Sequence, residues 1–479
     1  MKKIVSLLTL LAIVLVTTAQ TGYTIAVTVK PYKNDWVYLG YHYGKMKALT
    51  DSVKLDANSQ GVFKGKEALP GGIYFIVSPR KEILFELLVD KQQHFSITAD
   101  SAQLPNGIVF KGSADNSLFQ QYTVFANKTG QAMAQGRAAL ATAKTAKDSA
   151  AIQTALQKNG DHMQSFRDSI NHKHPESLLA ALLQAMKEPV VPPAAKQPGG
   201  KYDSAFAYHY VKEHYWDGVE FNDGRLVRTP FFEIKLEKYY RDLVSPDPDS
   251  VIKEADYMLL YARSDKEMFK YLMVTFVQKY VNPQYMGQDA VFVHLFEKFI
   301  NTGQTDFFTE EYKEFMTKRA YSIMANLIGR QGADLKMVDT LDKPATLYKV
   351  QAPLVVLCFW DPTCSHCKEV VPKVDSIFQA SWKAKGVKVY GVMVEGGKDK
   401  WMDFIRTHNL KDWLHVYQLP ADTDADAAAG RPGYRQLYDV FQTPILYLLD
   451  KDKRILAKKL DYLQLNEVIN MKLQQPNTQ

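Results

Sequence analysis

Short runs of β-branched and aromatic residues open the chain. Tyr23-Thr24-Ile25-Ala26-Val27-Thr28-Val29, Trp36–Leu39, Gly72–Val77 and Ile83–Val89 read as strands, separated by the turn residues Asn58, Gly61, Pro70 and Gly71. Repeated short strands predict a small β-sandwich over 22–115. From Asn116 the pattern turns helical, and 116–330 reads as a helical domain. Ala132 to Leu156 is alanine- and lysine-rich and predicts a solvated helix. A helix carrying Leu178, Leu179, Leu182 and Leu183 ends before Pro189, and 189–200 holds four prolines and two glycines, an exposed loop or linker. A second helical block follows from Tyr202 to Gly329. Its aromatics, Tyr215, Trp216, Phe221 and Tyr239 among them, read as core. His209, His214 and His294 read as packing or surface residues, because their spacing makes no metal site.

A different order governs 333–475. A short β segment (Leu335 to Thr346) precedes the hydrophobic run Leu354 to Trp360, a buried strand. A helix follows from Ser365 to Lys383, then a strand (Val387 to Val394) and a helix (Lys400 to His408). A short helix (Tyr434 to Val440) precedes Thr443-Pro444, and strands Ile445 to Leu449 and Arg454 to Leu460 flank the turn Asp450-Lys451-Asp452. A helix, Leu463 to Leu473, closes the chain. The fold class is multi-domain: an all-β sandwich, an α-helical middle region and a C-terminal α/β domain.

At 479 residues the chain is too long for one core, and 46% apolar with 23% charged residues excludes wholesale disorder. A net charge of +7 without an arginine-rich run gives no reason to expect nucleic acid. Met1-Lys2-Lys3, the apolar stretch Ile4 to Val16 and the small residues Thr17-Thr18-Ala19 form a secretory leader over 1–19. It is shorter than the ~20 residues a membrane helix needs. No later stretch is long and apolar enough to span a bilayer. These features place the mature chain in the periplasm or cell envelope.

The three cysteines, Cys358, Cys364 and Cys367, lie within ten residues. A stapled scaffold would scatter them. Cys364-Ser365-His366-Cys367 instead puts two thiols in the first turn of a helix after a buried strand, where one disulfide can form and break. The helix N-terminus favours the thiolate of the first cysteine. His366, between the two, either adds stabilisation through a partly charged imidazole or simply faces solvent. One cysteine pair with His366 is too few ligands for zinc, Lys368 stands where a haem-binding CxxCH motif needs histidine, and a paired motif argues against a peroxidase. No cofactor or metal is expected.

Phe359-Trp360 before the motif, the CxxC itself, Pro372 after it and Thr443-Pro444 before a strand together resemble the exported TlpA- and ResA-like thiol–disulfide oxidoreductases of the thioredoxin fold. Val37-Tyr38-Leu39, Asp51-Ser52-Val53, Gly61-Val62-Phe63, Pro70-Gly71-Gly72-Ile73-Tyr74 and Lys111-Gly112-Ser113 resemble the N-terminal β domain of exported multi-domain relatives. His214-Tyr215-Trp216-Asp217, Arg228-Thr229-Pro230 and Met286-Gly287-Gln288-Asp289 resemble their helical middle domain, whose role the resemblance does not supply. The resemblance implies that Cys364 attacks, Cys367 resolves, the cis Thr443–Pro444 loop faces the disulfide and Trp360 packs beside it. The implied partners are protein thiols or disulfides and a membrane or periplasmic redox partner. Two positions depart from the family. Cys358 stands where many relatives have a buried Asp or Asn, and reads as a small buried hydrophobe. Val370 stands where ResA-like relatives carry glutamate, and Glu395 is the carboxylate expected to replace it. The rival class is a non-catalytic envelope scaffold that uses the domain as an interaction module.

Overall fold

The computed structural model describes residues 22–474, so the leader expected over 1–19 lies outside the described residues. By contact density the chain forms two compact units. One extends to Leu243 and takes in Ala262–Met268; the other comprises Val244–Tyr261 and everything from Phe269.

The first unit begins with eight strands: β1 (Tyr23–Lys30), β2 (Trp36–Tyr43), β3 (Met46–Lys54), β4 (Gln60–Gly65), β5 (Gly72–Val77), β6 (Ile83–Val89), β7 (His94–Asp100) and β8 (Val109–Lys111). They form two four-stranded sheets, β4-β1-β7-β8 and β3-β2-β5-β6. Alternation puts Ile25, Val27 and Val29 of one sheet against Val37, Leu39, Ile76 and Leu87 of the other in one core, which makes a sandwich. Gly61 lies inside β4 and not in a turn. The alanine-rich stretch expected as one helix is an antiparallel pair, α1 (Ala114–Thr142) and α2 (Ala146–Lys173). The break comes at Thr145, whose Oγ1 accepts from the Asp148 N–H at 3.1 Å and donates to the Asp148 carboxylate at 2.6 Å. That reciprocal cap starts a new helix. The pair is closed by Phe125 on Phe166, with ring centres 4.6 Å apart. Helices α3 (Leu178–Ala185), α4 (Ser204–Glu213) and α5 (Phe232–Asp242) complete the unit. Between α3 and α4, buried Gln197 orders the proline-rich loop by donating to the Pro192 carbonyl (2.7 Å) and accepting from the Asp203 N–H (2.8 Å).

The second unit holds most of α6 (Pro248–Ala262) and α7 (Lys266–Tyr280), then α8 (Asp289–Leu295) and α9 (Glu310–Met324). Its sheet contains β9 (Val338–Asp339), β10 (Leu354–Trp360), β11 (Lys388–Met393), β12 (Leu414–Tyr417), β13 (Ile445–Asp450) and β14 (Ile455–Lys458), in the order β14-β13-β10-β11-β12-β9. Around it lie α10 (Ser365–Ile377), α11 (Lys398–Thr407), α12 (Pro420–Ala428), α13 (Tyr434–Leu437) and α14 (Tyr462–Gln474). The helix predicted from Ser365 to Lys383 is α10 extended by a π turn (Phe378–Trp382) and a 3-10 turn that stops at Gly386, whose φ of 77° only glycine adopts freely.

Strand β10 is buried along its whole length, as a central strand covered on both faces must be. Val356, Cys358 and Trp360 point into the core shared with α10 and α14, while Val355, Leu357 and Phe359 point into the opposite core. The edge strand β14 is covered by residues 329–331: the Gly329 N–H donates to the Ile455 carbonyl and the Ile455 N–H to the Arg330 carbonyl, both at 2.8 Å. Buried Lys458 on β14 uses all three ammonium protons, on Asp289 Oδ2 (2.5 Å), Asn326 Oδ1 (2.8 Å) and the Asn326 carbonyl (2.9 Å). Helices preceding the sheet domain are thereby pinned to its edge.

Candidate active site

Two elements and one register assemble the site. Strand β10 ends at Trp360, and Asp361 turns the chain: its Oδ1 accepts from the Thr363 N–H and hydroxyl, each at 2.7 Å, while its carbonyl accepts from the Cys364 N–H at 3.2 Å. This turn delivers Cys364 to the N-cap of α10 with extended backbone (φ −68°, ψ 127°) and Cys367 to the first turn. Antiparallel pairing of Phe359 with Ile445 sets the residues before β13 beside those after β10. Thr443-Pro444, joined by a cis peptide bond, therefore lies against Cys364, and the Cys364 thiol meets the Thr443 carbonyl at 3.6 Å.

The two thiols have unequal surroundings. Cys364 is partly exposed and Cys367 is buried, and neither is in a disulfide. The Cys364 thiol makes no N-cap hydrogen bond. Its pKa is nevertheless held below the usual thiol range, chiefly by the N–H of Cys367, with smaller help from Thr443 and the His366 N–H against partial burial. Burial pushes the Cys367 thiol up to about 11, although the Asp361 N–H donates to its sulfur at 3.4 Å. Cys358 is fully buried in the same core; burial, and then the neighbouring Cys367, push its thiol well above the ordinary value. One nucleophile that ionises readily thus faces solvent, above two thiols that stay protonated at neutral pH.

The other residues singled out in the sequence scatter around this pair. The His366 side chain is exposed, and only its backbone N–H lies toward the Cys364 sulfur. Trp360 is buried under the site, its ring 5.1 Å from Phe404 and 6.2 Å from His415. Thr443 and Pro444 are half-buried beside Cys364. Glu395 is exposed and ion-paired with Arg435 at 2.6 Å. Val370 packs against the core that holds Cys367. Sequence reading passed over Asp361 and His415. Asp361 carried a signal, since Asp-Pro-Thr before a helix is turn chemistry. His415 carried none, because Trp360 and Trp401, which close over it beside its neighbour Trp413, are distant in sequence.

An α/β domain with one cysteine at a helix N-cap position, a buried second cysteine and a cis-proline turn against them defines the thioredoxin class. Comparison with known proteins agrees. Residues 328–458 match the AhpC/TSA family, 23–119 a domain of unknown function (DUF4369) and 146–321 another (DUF5106). No curated protein matches the chain. Among solved structures, a domain of a possible thiol-disulfide isomerase from Cytophaga hutchinsonii is 33% identical over 30% of this chain and 92% of its own, with a TM-score of 0.27. A thioredoxin-like protein from Bacteroides caccae is 20% identical over 60% of this chain and 98% of its own (TM-score 0.44). The thioredoxin domain of a thiol-disulfide oxidoreductase from Bacteroides vulgatus is 21% identical over 30% and 97% (TM-score 0.27). The chain belongs to the thioredoxin-like thiol–disulfide oxidoreductases, with that domain at its C-terminal end behind a β and a helical region.

Proposed function

We propose that the protein exchanges disulfides with exported protein substrates through Cys364 and Cys367. The Cys364 thiolate attacks one sulfur of a substrate disulfide. A mixed disulfide forms and one substrate thiol leaves. Cys367, after losing its proton, attacks the Cys364 sulfur, which closes the Cys364–Cys367 disulfide and releases the second substrate thiol. The substrate gains two electrons and two protons, and the dithiol loses them; an oxidase runs the same steps backwards. A dithiol or disulfide partner in the cell envelope resets the pair, consistent with the leader-like start of the chain. Among the described residues no helix is long and apolar enough to cross a membrane.

The observation that carries this reading is the asymmetry of the pair: an ionisable, accessible Cys364 at the Thr443 carbonyl over a buried, protonated Cys367. Insulin-disulfide reduction tests it. Cys364→Ala is expected to abolish turnover, and Cys367→Ala to accumulate mixed disulfides with substrate through Cys364. Wild-type chain without reductase activity, with no trapped species in Cys367→Ala, would favour the scaffold reading instead.

A further inference from the structure

A cavity of about 640 Å³ opens beside the Thr443–Pro444 turn, and its far side is built from α9. Pro444, Ile445 and Leu446 line the near side; Phe315 and Arg319 of α9 face them. Phe441, three residues before Pro444, stands at the rim with 77% of its surface exposed, and Phe315 is 50% exposed. The two rings thus stand at one mouth from separate elements, α9 and the turn before β13. Phe441 is held in place by the Arg319 guanidinium, 5.7 Å from its ring centre.

The charges around the cavity are already engaged. Buried Asp439 lies between Arg319 and Lys459 and is bonded to both. Arg319 also donates to Asn282 Oδ1 (3.0 Å) and the Val281 carbonyl (3.3 Å). Asp461 accepts from the Leu463 and Gln464 N–H groups at the start of α14, at 2.8 and 2.9 Å. Two cations and two carboxylates leave no net charge to offer a ligand. What remains is the pair of rings, Phe315 and Phe441, at a mouth that adjoins the backbone touching the Cys364 sulfur.

We propose that Phe315 and Phe441 form a subsite for a bulky apolar side chain of the polypeptide substrate, next to its disulfide cysteine. The inference rests on the dithiol reading above and adds α9, outside the sheet domain, to the elements that select the substrate. The cavity begins at Pro444, next to the Thr443 carbonyl that the Cys364 sulfur touches, so it adjoins the position a substrate cysteine joined to Cys364 would take. A charged side chain gains nothing there, because each fixed charge has its partner.

The test uses the full chain, with dithiothreitol as electron source and synthetic peptides, each with one cysteine in a mixed disulfide with glutathione. The residue after that cysteine is Phe, Ser or Asp. Wild-type kcat/KM is expected to favour Phe over Ser by about tenfold or more, the scale of burying one large apolar group. In the Phe315→Ala/Phe441→Ala double variant the ratio should fall to within about twofold of one, a readout that cancels any general loss of activity. Both side chains are largely exposed, so the variant should fold. Equal use of the three peptides by wild type, preference for Asp, or a Phe preference that survives the double substitution would overturn the subsite. So would a concentration-dependent dimer that buries both rings. Wild-type reduction of hydroxyethyl disulfide separates the two claims. If it occurs without peptide discrimination, only the subsite fails; if it does not occur, the dithiol reading fails and the subsite with it.

Discussion

Three cysteines within ten residues end in three different environments. The pH dependence of alkylation should report them separately. Cys364 is expected to react with iodoacetamide along a curve whose midpoint lies below that of an unstructured thiol, because Cys367 and His366 N–H groups favour its thiolate. Cys367 and Cys358 should resist the reagent at neutral pH until the chain is unfolded. Mass mapping of the labelled sites checks this, and a Cys364 midpoint at or above the free-thiol value would contradict it. His415 supplies a second residue-scale prediction. It is enclosed by Trp360, Trp401 and Trp413, and its Nε2–H donates to the Leu410 carbonyl at 2.8 Å. Burial lowers its pKa to about 4, against a smaller opposing effect of that carbonyl. Between pH ~6.5 and ~4 the unfolded chain therefore binds a proton that the folded one refuses, and stability falls as the pH falls through that window, by roughly 3 kcal/mol. Urea unfolding at stepped pH should show the slope, and His415→Phe should flatten it. The thiol pair was legible in the sequence because spacing alone carries it. The environment of His415 was not, since it is made by side chains from β10, α11 and the turn before β12.

At the scale of elements, register does more than helix or strand content. Pairing β10 with β13 brings the Thr443-Pro444 turn to the dithiol, and the pins on β14 fix the edge of the same sheet. Removing one pin is expected to be costly. Lys458→Met would leave the Asp289 carboxylate buried without its cation, a loss of about 3–5 kcal/mol in denaturant unfolding. Lys458→Met combined with Asp289→Leu should recover most of it; a single variant within about 0.5 kcal/mol of wild type would contradict this account. Continuous hydrophobic runs such as β10 and β13 were readable from sequence because both faces are buried. Strand β3 was not singled out: Met46–Lys54 buries none of its residues fully, so its sequence lacks alternation. The α1–α2 break was hidden by good helix formers on both sides, and only Thr145 with Asp148 signalled it. Strand β12, four residues long, gives too short a run to distinguish from helix.

Across the whole molecule, the cysteines are confined to one end, and the preceding regions contain none. The division at Leu243 and Val244 puts α8 and α9 in the same compact unit as the dithiol. No local sequence pattern foretold the grouping of Arg319, Asp439 and Lys459, because the pair between α9 and the Asp439 turn joins residues 120 positions apart and Lys459 reaches the same carboxylate from just past β14. Cys364 and Cys367 are proposed to form a reversible two-electron couple while Cys358 stays a thiol. This couple is tested most directly by equilibrating the full chain in graded dithiothreitol redox buffers, trapping free thiols with acid and a maleimide, and counting labels by mass. One reversible transition between three labelled cysteines and one is expected, with the remaining label on Cys358. Two labels lost from any other pair, or no transition between fully reducing and fully oxidising buffer, would contradict it.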